Sequence, residues 1–81
     1  MKDLKIFQYG CGKMSVYTMR YVLENGAKIV GAVDINEDVI GKDIGQIIGK
    51  DNMGVLVSSV NDAEDLLKSL KPDCVIVTTM S

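Results

Sequence analysis

The chain contains no histidine. That removes the commonest general base and a frequent metal ligand. A Ser-His-Asp or Cys-His catalytic machine cannot be assembled from these residues. Cysteine is also scarce, with only Cys11 and Cys74 among 81 residues. The two are far apart and neither belongs to a Cys-x-x-Cys pair, so no zinc site is expected. A basic surplus is missing too: nine Lys and Arg stand against eleven Asp and Glu, for a net charge of -2. This argues against nucleic acid or an anionic membrane as the main partner. No apolar run approaches the roughly 18 residues of a membrane span. The opening "MKDLKIFQYG" carries only a strand-length apolar run that ends in glycine, so it has no signal-peptide core. The remaining expectation is one small cytoplasmic domain. At 47% hydrophobic and 25% charged, its composition is that of an ordinary globular protein.

Strand and helix patterns alternate along the chain. "LKIFQY", Leu4 to Tyr9, reads as a strand that stops at glycine. Residues 13–26 read as a helix, with Met14, Thr18, Tyr21, Val22 and Asn25 at helical spacing. Val16, Met19 and Leu23 widen that face, and Met14, Tyr17, Met19 and Tyr21 are read as packing residues. Gly26 is placed to end the helix in a left-handed conformation. Lys28 to Asp34 is a second strand, almost continuously apolar, as a strand covered on both faces should be. Ile44, Ile47 and Ile48 suggest a short, glycine-weakened helix near Asp43 to Ile48. A third strand is expected at about Val55 to Ser58. "AEDLLKSL" follows as a helix, capped by Asn61 or Asp62 and stopped by Pro72. "DCVIVTT" is the fourth strand. The expected fold is an α/β, Rossmann-type parallel sheet with helices on both faces and right-handed crossovers. Strand four should neighbour strand one and leave an outer edge bare. Residues 1–81 are therefore expected to be the N-terminal portion of a dinucleotide-binding domain, with a C-terminal substrate domain outside this chain. The alternative is a domain that pairs with another chain through that edge, and a homo-oligomer is expected.

Between the first strand and the first helix stands Gly10-Cys11-Gly12-Lys13-Met14-Ser15. This is the place and spacing of the dinucleotide fingerprint Gly-x-Gly-x-x-Gly/Ala. The first glycine permits a tight turn, and the second lets a pyrophosphate approach with no Cβ in the way. The third position needs a small residue, which Ser15 is. The first amides of the helix then face the phosphates. Asp34 lies 22 residues after Gly12 and closes the second strand. A carboxylate there accepts from the ribose hydroxyls of NAD and repels the 2′-phosphate of NADP. NAD is the expected cofactor, although a nearby lysine or a shifted loop can still admit NADP. Ile35 follows Asp34 and joins the cofactor-binding set. Thr78 and Thr79, at the carboxyl end of strand four, are placed for the ribose or nicotinamide side.

Plainer readings stand beside these. The two glycines can simply shape a strand-to-helix turn, and Asp34 can be a solvated carboxylate or an Asx-turn residue. Lys13 can meet a phosphate or only water. Threonines suit strands regardless of ligand. Cys11 sits where a helix start can lower a thiol pKa, or it is merely a small residue that suits the turn. A Cys11–Cys74 disulfide is excluded, since opposite ends of neighbouring parallel strands put them roughly 15–20 Å apart.

The segments "KIFQYGCGKMS", "IVGAVDIN", "VIGKDIGQIIG" and "PDCVIVTTMS" together resemble the N-terminal domain of the 2,4-diaminopentanoate dehydrogenases, and the wider group around dihydrodipicolinate reductase. "GKDIGQIIG" is the most specific part, because nucleotide binding alone does not require it. The resemblance implies an NAD(P)-dependent oxidoreductase. In the first family a hydride leaves an amine-bearing carbon and the imine is hydrolysed to a ketone and ammonia. In the second the hydride moves towards a cyclic imine-type substrate, and a diaminopimelate dehydrogenase-type enzyme is a further alternative. The small amino-acid substrate and the catalytic residues would come from the C-terminal domain, so no catalytic residue is assigned. A reading of another class is a non-catalytic NAD(H)-sensing module, and a last one is a structural domain that binds no nucleotide.

Overall fold

In the computed structural model, residues 3–78 are described. The elements run β1 (Lys5–Tyr9), α1 (Lys13–Glu24), β2 (Lys28–Asp34), α2 (Ile44–Ile47), β3 (Val57–Ser59), α3 (Ala63–Leu70) and β4 (Cys74–Val77). The sheet has the order β3-β2-β1-β4 and every pairing is parallel. Ile6 packs with Met19, Val22, Ile29, Ile44 and Ile48 on the face covered by α1 and α2. Phe7 and Val33 pack with Ala63, Leu66, Leu67 and Leu70 on the face covered by α3. The expected α/β arrangement, with helices on both faces, is what the chain adopts. Among the described residues no helix is long and apolar enough to cross a membrane.

Register slips by one residue between Ile6 and Phe7, which pair with Ile29 and Gly31. Gly31 explains the packing there. A Cβ at this position would stand 2.7 Å from a Leu70 methyl and 2.9 Å from the Phe7 ring. The missing side chain is the space into which the α3-side core closes.

Three local expectations are corrected. The face of α1 is rolled: Ser15, Met19 and Val22 are buried, while Met14, Tyr17 and Tyr21 are 60%, 72% and 61% exposed. Ser15 lies fully buried, so the stripe turned to the sheet runs Ser15, Met19, Val22, at i, i+4 and i+7. Of the four residues read as packing, only Met19 packs. The first turn of α3 is also different. A 3₁₀ turn at Val60–Asp62 precedes it, and the Ser59 hydroxyl accepts from Asn61 N at 3.2 Å, whereas Asp62 makes no side-chain cap. Finally, β3 starts later than expected, because Leu56 bridges Asp43 in the antiparallel sense and the Ile44 amide donates to Val55 O at 2.9 Å.

Asp43 organises the "GKDIGQIIG" segment. One carboxylate oxygen accepts from Gly45 N at 2.8 Å, capping α2, and from Met53 N at 2.7 Å. The other accepts from Gly54 N at 2.8 Å. The Met53 amide leads a group of backbone donors that hold this buried carboxyl below its ordinary pKa, against the opposing effect of burial. Gly45 is required because a Cβ there would collide with the Asp51 carbonyl. Arg20 reaches across from α1 and donates twice to Ile48 O, at 2.9 and 2.6 Å, closing the other end of α2. This motif is structural: it pins a short helix and the loop behind it to α1.

Candidate functional site

The carboxyl ends of β1, β2 and β4 converge on a cleft of about 260 Å³. Gly10, Gly12, Asp34, Ile35 and Thr78 line it, together with Tyr9, Asn36 and Val60. Gly10 has φ of 100°, a conformation that glycine adopts without the steric cost of a Cβ. Its N–H donates to Val33 O at 2.8 Å, and its carbonyl turns inward. There it accepts from Gln8 Nε2 at 2.8 Å and from the Thr78 hydroxyl at 3.0 Å. Gln8 Nε2 also donates to Thr78 Oγ1 at 2.7 Å.

Asp34 engages the same turn from the other side. Its Oδ2 accepts from Cys11 N at 2.6 Å, and its Oδ1 accepts from Asn36 N at 2.9 Å. The second bond is the Asx turn that the plain reading named. The two readings are compatible, because a carboxylate has about four lone-pair sites. Two are used by amides, leaving capacity for two hydroxyl donors.

Helix α1 begins at Gly12 with no side-chain cap and no acidic residue in its first turn. An uncapped start of this kind presents amides and a positive dipole end to an anion. A Cβ built on Gly12 meets nothing within 4 Å, so protein packing does not explain this glycine. Ser15 is buried and its hydroxyl donates to Gly12 O at 2.6 Å, holding the turn from behind. Lys13 and Met14 are exposed, and their backbone N–H groups stand at this uncapped helix start.

Cys11 is not poised for chemistry. Burial, reinforced by the Asp34 carboxylate, pushes its thiol pKa up to about 12. The lowered pKa considered from its place near a helix start is not realised, and the small-residue reading holds. Cys11 and Cys74 are both free thiols, as expected. Among the described residues no cluster of His, Cys, Asp and Glu could hold a metal. Thr79 lies outside the described residues.

Sequence reasoning passed over Gln8, Tyr9, Asn36 and Val60. Gln8 had a legible signal, being a polar residue inside an otherwise apolar strand. Asn36 had a weaker one, two residues beyond Asp34.

Fold and turn together define the class: an NAD(P)-binding domain of Rossmann type. A family model for the N-terminus of dihydrodipicolinate reductase matches residues 4–80, and the chain belongs to that family. It is 32% identical over 68 residues to the 4-hydroxy-tetrahydrodipicolinate reductase of Methanococcus aeolicus, covering 80% of this chain and 25% of that protein. Among solved structures it is similar to the amine dehydrogenase from Mycobacterium smegmatis, with a TM-score of 0.83 and 33% identity over 95% of this chain and 23% of the other. It is also similar to RSP, a Rex-family repressor, with a TM-score of 0.76, 23% identity and coverage of 99% and 35%. That last likeness speaks to the fold alone. The chain thus spans about a quarter of the length of the reductase and of the amine dehydrogenase.

Proposed function

We propose that this domain supplies the cofactor side of an oxidoreductase that moves a hydride between nicotinamide and the carbon of a carbon–nitrogen bond. The carrying observation is the Asp34 carboxylate, with unused acceptor capacity, beside the uncapped start of α1 in one cleft. In this reading the amides of Gly12, Lys13 and Met14 hold the pyrophosphate. Asp34 accepts from the adenosine ribose hydroxyls, and Ile35, 79% exposed at the cleft, offers an apolar wall to the base. Gly10, Cys11 and Ser15 shape the turn. Thr78 braces it from just beyond the end of β4. When bound, the nicotinamide accepts or donates the hydride. The residues here bind and orient it, and no catalytic residue is assigned among them.

The favoured activity is oxidative deamination by an amine or amino-acid dehydrogenase. The likeness to the M. smegmatis amine dehydrogenase supports it, as does the resemblance carried by "GKDIGQIIG". A second reading is reduction of a cyclic imine, which the family match and the M. aeolicus relative favour. In both, a further domain provides the substrate site, and the enzyme is a homo-oligomer. Assaying the whole enzyme, this domain joined to its substrate domain, for NAD reduction with diamino acids, and for NADH oxidation with cyclic imines, separates the two. Turnover only in the second assay removes the dehydrogenase reading.

A further inference from the structure

The peptide between Gly10 and Cys11 is held at both ends. Its carbonyl accepts from Gln8 Nε2 and Thr78 Oγ1, and its N–H donates to Asp34 Oδ2. No peptide bond among the described residues is cis, so the C=O and N–H of this unit point in opposite directions. The plane is therefore a strut. Its orientation, set from inside the sheet by Gln8 and Thr78, decides where the donor for Asp34 lies.

We propose that Gln8 is a positioning residue of the dinucleotide site, acting on Asp34 through the Gly10–Cys11 peptide. The inference rests on the cofactor reading of Asp34. Burial makes the argument. Gln8 is fully buried in the middle of β1, next in sequence to the core residues Ile6 and Phe7. Its Oε1 is buried with no hydrogen-bond partner among the described residues. A buried acceptor left unpaired is destabilising, so core stability does not call for glutamine here. What the carboxamide gives in return is two donated bonds, both spent on the turn and its brace. Those bonds fix the Gly10 carbonyl inward, away from the face that an incoming pyrophosphate must approach. They also leave the opposite N–H aimed at the ribose-binding carboxylate.

The test uses the full chain with Gln8→Met and, separately, Thr78→Val. Gln8→Met removes both donors and the unpaired oxygen while keeping side-chain volume. Thr78→Val removes only the hydroxyl at a half-exposed strand end, so it decides the matter if the first variant fails to fold. Two quantities are read: the amide proton shift and exchange rate of Cys11 without nucleotide, and the dissociation constant for NADH. Each folded variant should show the Cys11 amide moving upfield and exchanging faster. NADH affinity should fall about tenfold, with melting temperature little changed. A Cys11 amide and an NADH affinity both unmoved in a folded variant would overturn the inference. If the wild-type chain itself binds no NADH, the cofactor reading fails instead. The Cys11 amide alone then decides whether Gln8 governs this strut.

Discussion

Oδ2 of Asp34 lies 2.6 Å from the backbone nitrogen of Cys11 and accepts its proton. This one bond joins the end of β2 to the glycine turn after β1. It holds a carboxylate over the cleft before any ligand arrives. A charge-assisted bond of this kind contributes about 1.5–3 kcal/mol, enough to make the site pre-formed. Asp34→Ala should therefore weaken NADH binding at least about tenfold. Asp34→Asn keeps an acceptor oxygen but loses the charge, and should narrow the preference for NADH over NADPH. Calorimetric titration of both nucleotides against each variant measures this.

Gly10 and Gly12 should behave differently when substituted. Gly12 has φ of -80° and open space around it. Gly12→Ala should change stability by no more than about 0.5 kcal/mol while reducing NADH affinity more than tenfold, because its methyl group projects where the pyrophosphate passes. Gly10 has φ of 100°, so Gly10→Ala should cost stability through backbone strain as well. Thermal melts paired with binding curves separate the two glycines.

Asp43 predicts an acid response. Its folded pKa lies below the ordinary value, chiefly through the Met53 amide. A depressed carboxylate contributes stability that is fully present above the unfolded value of about 4. That stability is lost as pH falls through the lower folded value. Melting temperature should therefore drop in acid below about pH 4. Asp43→Asn should lower stability at neutral pH and flatten part of that acid limb. The asparagine keeps one acceptor oxygen for the Gly45 and Met53 amides but leaves the Gly54 amide facing an NH2 group, so exchange in the 51–54 loop should quicken. Melts across pH, with amide exchange, test both statements.

The cysteines should react unequally. With its thiol pushed up to about 12 and buried, Cys11 carries almost no thiolate at pH 8. Cys74 is exposed. Iodoacetamide at pH 8 should label Cys74 and spare Cys11 in the folded chain, and label both in denaturant. Peptide mass mapping reads the difference.

Much of this was legible in the residues. Alternating apolar strands and helix patterns placed all four strands and set β4 beside β1. Gly26, with φ of 89°, ends α1 as its position suggested. The glycine turn and Asp34 meet in one cleft because strand ends and spacing are local properties. The roll of α1 was less legible. Periodicity reports a wide apolar surface, but the buried stripe runs through the polar Ser15 with Met19 and Val22, which an apolar pattern does not pick out. The role of Asp43 was hidden for a similar reason: its donors at Met53 and Gly54 lie ten and eleven residues on, in a loop without a pattern. Gln8 was visible as an anomaly in β1, but its partners Gly10 and Thr78 emerge only once β1 and β4 are paired.

In the proposed function the Gly10–Ser15 turn and Asp34 form one dinucleotide site that favours NAD. The most direct test is an amide NMR titration of the full chain with NAD and, separately, with NADP. Saturable shifts centred on Gly10, Gly12, Lys13 and Asp34 are expected, reached at lower concentration with NAD. A well-dispersed spectrum unmoved by either nucleotide would contradict it.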